Sequence, residues 1–394
     1  MIGFVRQVFP LLAMGLQTLP QRLGSSSVVV IGIAGVVAVL VTMLAVAAGL
    51  DNSLKGSGRN DNVLVMSSGS ESEMGSAISR EAFETIVSAP QVARDAQEQA
   101  IASAEIVTVF PAKFIDSMAD GNVNLRGVGK QGLSIHSSIK VITGRIFQPG
   151  LREVVVGTGV ARMFQGFKVG DQVRIGNGSW TVVGHYASGS IHDSEVLGDA
   201  DTLQSALEMG TYVNAVYVRL VSPSQAASFR EELLRSRNLH VVTHIESEYF
   251  DAQSKDLSEA LRTAAHTIGL IMALGALFGA VHSLYISADA RKVEMATLRA
   301  VGFRTDSITV AFMLEAALLS LIGGCLGAAL AYALFNGYVA STINAGLSQL
   351  VFELSVSWRL VFTGIVWACV IGLLGALVPA VRAARQPVAV ALRA

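Results

Sequence analysis

The sequence predicts a membrane protein of four transmembrane α-helices, with a large α+β domain inserted between the first and second spans. Composition is the first observation: 52% of the 394 residues are hydrophobic, 15% are charged and the mean hydropathy is +0.52, too apolar for an ordinary soluble enzyme. Distribution is the second. Four windows contain no Asp, Glu, Lys or Arg: Leu23 to Leu50, Thr263 to Ala288, Ala316 to Phe352 and Leu360 to Val381. The shortest has 22 residues, and a helix of that length reaches about 33 Å, enough for a hydrocarbon core of roughly 30 Å.

Residues 1–22 precede the first span and read as an N-terminal interfacial helix. Phe4, Val5, Val8, Leu11, Leu12 and Leu16 follow helical spacing, with Pro10 as a possible bend. The first span covers 23–50. It is not read as a signal peptide, although "LAVAAG" at 44–49 offers small residues, because its apolar run exceeds the roughly 7–15 residues of a signal h-region. Residues 51–262 are long enough for a folded domain with its own core. "DNVLVMS", "NAVYVRL" and "NLHVVTH" read as strands. "SPSQAASFREELLRSR" reads as a helix with Ser222 as N-cap, Pro223 in the first turn and Gln225 completing a capping box. "GDQVRIGNGSWTVVGHY" reads as a hairpin around "GNGS". The β-rich middle, roughly 116–212, is expected to be an insertion into a strand–helix–strand unit built from both ends.

The remaining elements are a second span at 263–288, a charged connection at 289–308, a third span at 309–339, a short loop at 340–359, a fourth span at 360–381 and a tail at 382–394. Lys and Arg in short connections orient the chain. Arg6 and Arg22 precede the first span, Arg291, Lys292, Arg299 and Arg304 lie between the second and third, and Arg382, Arg385 and Arg393 lie in the tail, whereas the 340–359 loop has only Arg359. Both termini and the 289–308 connection are therefore expected in the cytoplasm, and 51–262 on the outer, periplasmic side. Cys325 and Cys369, the only cysteines, fall within predicted spans, which leaves the outer domain without a disulfide.

Motifs for covalent chemistry are missing. "GVGKQG" at 127–132 has neither the spacing nor the Ser/Thr of a phosphate-binding loop. His240 and His244 sit on a predicted strand, where i and i+4 lie roughly 13 Å apart, so no metal site is expected there. His266 and His282, 16 residues apart within the second span, are read as packed, neutral side chains. No nucleophile has a base at a recognisable spacing, and no catalytic residue is assigned.

The stretch "RKVEMATLRAVGFRTDSITVAFMLEAALLSLIGGCLGAALAYAL" resembles the signature of the FtsX-like, MacB-type ABC transporter permeases. It has a basic pair, Glu, "A-x-LRA-x-G", an apolar run with Glu at the head of the next span, then glycines. "TGRIFQPGLREVVVGTGVARMFQGFKVGDQVRIGNGSWTVVGHY" is similar to the periplasmic core of that family, and "PAVRAARQPVAVALRA" to its tail. The resemblance implies a non-catalytic permease in a bacterial inner membrane. An ATPase would act on it from the cytoplasm as a dimer and would bind the ATP and Mg²⁺. Because the MacB type proper carries its ATPase before the first span and only 22 residues stand there, a separate ATPase subunit is expected, as in the lipoprotein-releasing and DevC-like members. A second permease copy, a periplasmic adaptor and an outer-membrane channel are the other implied partners, with no nucleic acid. Export competes in this frame with lipoprotein or lipid extraction and with signalling to cell-wall hydrolases, although division-type FtsX proteins have a much smaller outer domain.

Physics agrees with the cytoplasmic coupling helix that the resemblance implies, although the residues alone favour a solvated loop helix between the two spans. Seven charges lie between Asp289 and Asp306, and immersing them at about 2.5–3.5 kcal/mol each would cost roughly 17–25 kcal/mol. Lys292, Met295 and Arg299 fall on one stripe at i, i+3 and i+7, with Gly302 as a helix stop. With Arg291, Glu294 and Leu298 they are the candidate ATPase-coupling residues, Met295 as apolar anchor and Arg299 as charged partner. Gly323, Gly324 and Gly327 in the third span and Gly372 and Gly375 in the fourth permit close helix approach.

Overall fold

The computed structural model describes residues 2–18, 23–54, 57–117, 119–236, 239–343 and 349–385. The tail beyond residue 385 and the side chains of Phe4, Val5, Arg6, Leu16, Arg22 and Lys292, all used in the sequence reading, lie outside the described residues. In chain order the elements are α1 (Ile2–Thr18), α2 (Leu23–Leu54), β1 (Asn62–Ser67), α3 (Arg80–Val87), β2 (Ala102–Lys113), β3 (Asp120–Val128), α4 (Gly132–Ile135), β4 (Lys140–Gly144), β5 (Glu153–Gly157), α5 (Thr158–Met163), β6 (Gln172–Ile175) and β7 (Gly178–Ala187). They continue with β8 (Glu195–Asp199), α6 (Ala200–Ala206), β9 (Ala215–Arg219), α7 (Ala226–Arg235), β10 (Val241–Ile245), α8 (Glu246–Ala290), α9 (Lys292–Ala300), α10 (Thr305–Phe335), β11 (Val339–Ile343), β12 (Gln349–Glu353) and α11 (Trp358–Arg385). The chain divides into a helical unit (1–48, 258–338 and 354–394) and a sheet unit (49–257 and 339–353).

Among the described residues, four helices are long and apolar enough to cross a membrane: Ser26–Leu54, Glu246–Ala290, Thr305–Phe335 and Trp358–Arg385. α8 differs from the sequence reading, which opened this helix at 263: it begins at Glu246 and runs for 45 residues, about 67 Å. The seven charged residues between 246 and 262 mark the end of the apolar window but do not stop a helix, since Glu, Lys, Arg, Ala and Leu all favour helical backbone. Small residues close the helical unit. An added Cβ at Gly323 would meet Val30 O on α2 at 2.8 Å, one at Gly324 would meet Ala368 Cβ on α11 at 2.8 Å, and one at Gly327 would overlap the Ala34 carbonyl of α2. On α11, Gly372 lies against Ser320 of α10 and Gly375 against Ala280 of α8. Each of these five glycines thus sits at a contact between helices of this one chain. Cys325 and Cys369 are free thiols on α10 and α11.

Helix α1 continues through Pro10. Its buried stripe of Val8 and Leu11 joins Leu284, Met295, Ile308, Phe312 and Ala376 in one apolar cluster. Gln7 Oε1 accepts hydrogen bonds from Arg304 N (3.3 Å) and Ser307 Oγ (3.1 Å), which fixes α1 to the start of α10.

In the sheet unit, the order is β10-β1-β9-β2-β3-β8-β5-β7-β4, with β6 paired to β7. Its first four strands are mutually antiparallel and, with α3 and α7, form a split βαβ arrangement. The chain enters it as β1-α3-β2 and leaves it as β9-α7-β10, so β3 to β8 are an insertion between the halves. β2 belongs to both parts: Ala102 to Glu105 pair with β9, and Ile106 to Lys113 pair with β3. Val65, Val216, Val218, Ile86 and Phe229 pack beneath the first part. Phe110, Val154, Trp180, Val182 and Leu203 pack within the insertion.

Two local expectations change. Ser222 is the N-cap of a 3-10 turn, Pro223–Gln225, and its Oγ pairs with Ser224 Oγ at 2.9 Å instead of closing a capping box. Here Pro223 tightens the first turn before α7 begins. The 340–359 loop holds a hairpin, β11 with β12, whose Val351 N–H donates to Ser194 Oγ (2.9 Å) while Ser194 Oγ donates to Val351 O (3.1 Å). The run "QLVFE" is short and alternates weakly, which hid this strand inside an apolar window.

Candidate coupling site and a buried polar cluster

Between α8 and α10 the chain turns twice. At Arg291 (φ −106°, ψ 10°) α8 gives way to α9, and α9 ends in a Schellman motif. Gly302 N–H donates to Arg299 O (3.1 Å) and Phe303 N–H to Leu298 O (3.1 Å), with Gly302 at φ +108°. That left-handed conformation is what the sequence expected of a glycine stop here.

Arg291 is buried and links the pieces: its Nη1 donates to Glu315 Oε2 on α10 at 3.0 Å, and its Nε to Glu294 Oε2 at 3.1 Å. Gly15 on α1 lets this pair stay close, because an added Cβ would lie 2.5 Å from Glu315 Oε2. Met295 does not occupy the expected place. It is 7% exposed, packed with Leu11, Ile308 and Phe312, so it anchors α9 to its own helical unit and has no free apolar surface to offer a partner. The reason lies in the helix phase: the stripe that carries Met295 also carries buried Arg291 and half-buried Leu298 and Arg299. The opposite side of α9 is open, with Val293 52% exposed, Val301 75% exposed, and Glu294 and Thr297 exposed between them.

A second constellation, absent from the sequence reading, lies in the sheet unit. Arg126 on β3 is 1% exposed and bonds three carboxylates: Glu73 (2.9 and 3.0 Å), Glu105 (2.9 Å) and Glu195 (2.9 Å through both Nε and Nη2). Burial alone would raise the pKa of Glu105, but the His136 and Arg126 charges outweigh it and hold the carboxyl down at about 2. Glu195 is likewise depressed, burial being overcome by Arg126 and His192. Tyr217 Oη donates to Glu73 Oε1 at 2.7 Å, and burial pushes that phenol well above its usual range.

Around this hub stand His136, after α4, and His192, in the 3-10 turn Ile191–Ser194, with ring centroids 4.7 Å apart. His136 Nε2 pairs with Glu105 Oε1 at 2.8 Å and His192 Nδ1 with Glu195 Oε2 at 2.8 Å. Glu246, the first residue of α8, completes the group, its Oε2 accepting from Arg59 N (2.9 Å) and Asn62 Nδ2 (2.9 Å). The 3-10 turn is also a junction. Ile191 N–H donates to Ser57 Oγ (3.0 Å), Ser57 Oγ donates to Ser53 O at the end of α2 (2.8 Å), and Ser194 holds the β11–β12 hairpin. Apart from His192 and Glu195, the hydrogen-bonded partners of this cluster lie 21 to 187 positions apart, and no periodicity could have joined them in the sequence.

Comparison with known proteins accounts for both parts of the chain. A family model described as a MacB-like periplasmic core domain matches residues 26–236, and one described as an FtsX-like permease C-terminal region matches residues 267–388. The macrolide export ATP-binding/permease protein MacB of Escherichia coli is 25% identical over 310 residues, which cover 74% of this chain and 46% of that protein. The protein of the same name from Bdellovibrio bacteriovorus is 24% identical over 358 residues, covering 83% of this chain and 54% of the relative. The chain thus spans about half the length of the curated relatives it matches. Among solved structures, the extracellular domain of the noncanonic ABC-type transporter YknZ from Gram-positive bacteria aligns at 16% identity with a TM-score of 0.36, covering 46% of this chain and 99% of that one. The periplasmic region of MacB from Actinobacillus actinomycetemcomitans aligns at 14% identity with a TM-score of 0.36, covering 49% and 91%. With the core-domain model matched over more than half its length and the permease model over most of the remainder, the chain belongs to the MacB/FtsX-type permease family.

Proposed function

We propose that this chain is the membrane subunit of an ABC transporter that transmits ATP-driven movement from an ABC ATPase to its own sheet unit, which acts outside the inner membrane on a substrate bound for export. The observation that carries the reading is the junction at Ile191–Ser194. Three segments that lead into membrane-spanning helices meet there: Ser57 after α2, Glu246 at the head of α8, and the hairpin between α10 and α11. A displacement of any of these helices along its axis pulls on one buried turn of the sheet unit. Within the helical unit, the open side of α9, with Val293 and Val301, docks in the ATPase, while Arg291, Met295 and Gly302 hold α9 rigidly to α10 so that docking moves a span.

In this reading both termini and α9 face the cytoplasm, the sheet unit faces the periplasm, and two copies pair as a homodimer with an ATPase dimer that binds ATP and Mg²⁺. A periplasmic adaptor and an outer-membrane channel carry the substrate onward. Copurification tests the docking surface. Val293→Asp with Val301→Asp places two charges in the contact, and unpaired buried charge costs several kcal/mol; a loss of 2.7 kcal/mol already weakens association about a hundredfold. The variant should insert normally and lose the ATPase. Undiminished copurification would reject α9 as the docking element.

A further inference from the structure

His136, His192 and Glu246 each present one ligand atom within 4.8 Å of the others, and all three are at least 97% buried. From this geometry we infer that the sheet unit binds a divalent cation of zinc type at His136 Nδ1, His192 Nε2 and Glu246 Oε1. Four features of the site select those atoms. His192 Nε2 is buried with no hydrogen-bond partner among the described residues, an arrangement that costs free energy unless a ligand supplies the missing interaction.

Each histidine is held from behind by a carboxylate, Glu105 on His136 Nε2 and Glu195 on His192 Nδ1, both at 2.8 Å. With each carboxylate accepting the N–H of the nitrogen it faces, the other nitrogen turns its lone pair to the common centre, as in carboxylate–histidine–zinc sites. Glu246 is divided the same way: Oε2 is taken by Arg59 N and Asn62 Nδ2, and Oε1 lies 3.8 Å from His136 Nδ1. Ligand atoms at 2.0–2.1 Å from a tetrahedral zinc are about 3.3 Å apart, so the site must contract by no more than about 1.5 Å.

The fourth feature is charge. With both imidazoles neutral, the buried carboxylates Glu73, Glu105 and Glu195 share the single guanidinium of Arg126 and Glu246 lies buried beside His136, so a divalent cation takes over the balancing charge that the imidazolium forms otherwise supply. Two imidazoles and one carboxylate match zinc, and the donor set leaves one position for water.

The location gives the site its consequence. Glu246 opens α8, and His192 belongs to the turn that also holds Ser57 and the hairpin, so a bound ion would rivet the head of the second span to that turn. The site is independent of the ATPase, and failure to bind metal would leave the transport reading standing.

Zinc itself is the probe. The full chain, purified in detergent with a tag free of histidine and stripped with EDTA, is titrated with Zn²⁺ by calorimetry. It is then assayed for bound metal after gel filtration, and Co²⁺ is used to record the visible spectrum of a tetrahedral site. The expected result is about one equivalent per chain, lost in His192→Ala and in the near-isosteric Glu246→Gln. His244→Ala, outside the group, should bind as wild type. Glu105→Gln should bind 10–100-fold more weakly. If His192→Ala fails to elute as a folded species, Glu246→Gln alone decides. Less than about a tenth of an equivalent on the wild-type chain, or undiminished binding by folded Glu246→Gln, would overturn the assignment.

Discussion

Replacing Ser194 by Ala isolates the link between the β11–β12 hairpin and the 3-10 turn. The Ser194 hydroxyl is 3% exposed and serves both backbone groups of Val351, itself 7% exposed, accepting from N at 2.9 Å and donating to O at 3.1 Å. Alanine leaves an N–H and a C=O buried without a partner, and each such group costs about 1–3 kcal/mol. A total of about 2–4 kcal/mol is expected, because the C=O retains a second lone pair for other contacts. A two-stranded hairpin is marginal on its own, so the loss appears first as local opening of the hairpin and not as global unfolding. At 1.4 kcal/mol per decade, hydrogen exchange of the 349–353 amides should accelerate by about 30- to 700-fold, while β1 and β9 exchange as before. The assay is hydrogen–deuterium exchange with mass spectrometry on the chain in lipid nanodiscs. Acceleration of less than about threefold at 349–353 would show that Ser194 does not hold the hairpin.

Other residues give sharper contrasts. Met295→Asp, with its carboxylate driven into the cluster of Leu11, Ile308 and Phe312, should destabilise the helical unit by several kcal/mol. In a thermal scan it should therefore lose its transition well below that of the Val293→Asp, Val301→Asp pair, whose sites are exposed. Gly327→Val would drive a side chain into the Ala34 carbonyl of α2, and no rotamer avoids the contact because it begins at Cβ; little folded protein should survive detergent extraction, whereas Gly275→Val, with open space around it, should express normally. For orientation, a cysteine at exposed Asn177 should react with a membrane-impermeant reagent on spheroplasts of a Cys325→Ala, Cys369→Ala background. One at Arg304 should react only after lysis, and labelling of both from outside would contradict the topology.

Much of the architecture was legible because the membrane imposes a coarse, one-dimensional rule. Twenty or so residues without charge are hard to produce by chance and hard to interpret otherwise, so the helices at Leu23, Thr305 and Trp358 announce themselves. The start of α8 was not legible, since a charged helix and a charged domain end read alike. Gly302 was legible: a glycine after an amphipathic helix has one common use, and φ +108° is that use. Met295 was misread because periodicity identifies an apolar stripe without saying what covers it, and here α1 and α10 do. The Arg126 cluster was invisible for a different reason. Its members come from β2, β3, β8, β9, the turns that hold Glu73 and His192, the residue after α4 and the head of α8, and they meet only because β9 pairs with β2 in the sheet although six strands separate the two in the chain. Isolated Glu and His residues carry no pattern until that topology is known.

In the proposed mechanism, ATP use by the ATPase docked at α9 displaces the turn at Ile191–Ser194. This displacement is tested most directly by hydrogen exchange on the permease and its ABC ATPase reconstituted together in nanodiscs, comparing the nucleotide-free complex with one trapped by ATP and vanadate. Trapping should change exchange at 191–194 and 349–353 by more than about threefold, and the change should vanish in the Val293→Asp, Val301→Asp variant. A trapped, ATPase-bound complex in which α9 becomes protected while 191–194 and 349–353 exchange at their nucleotide-free rates would contradict transmission through this junction.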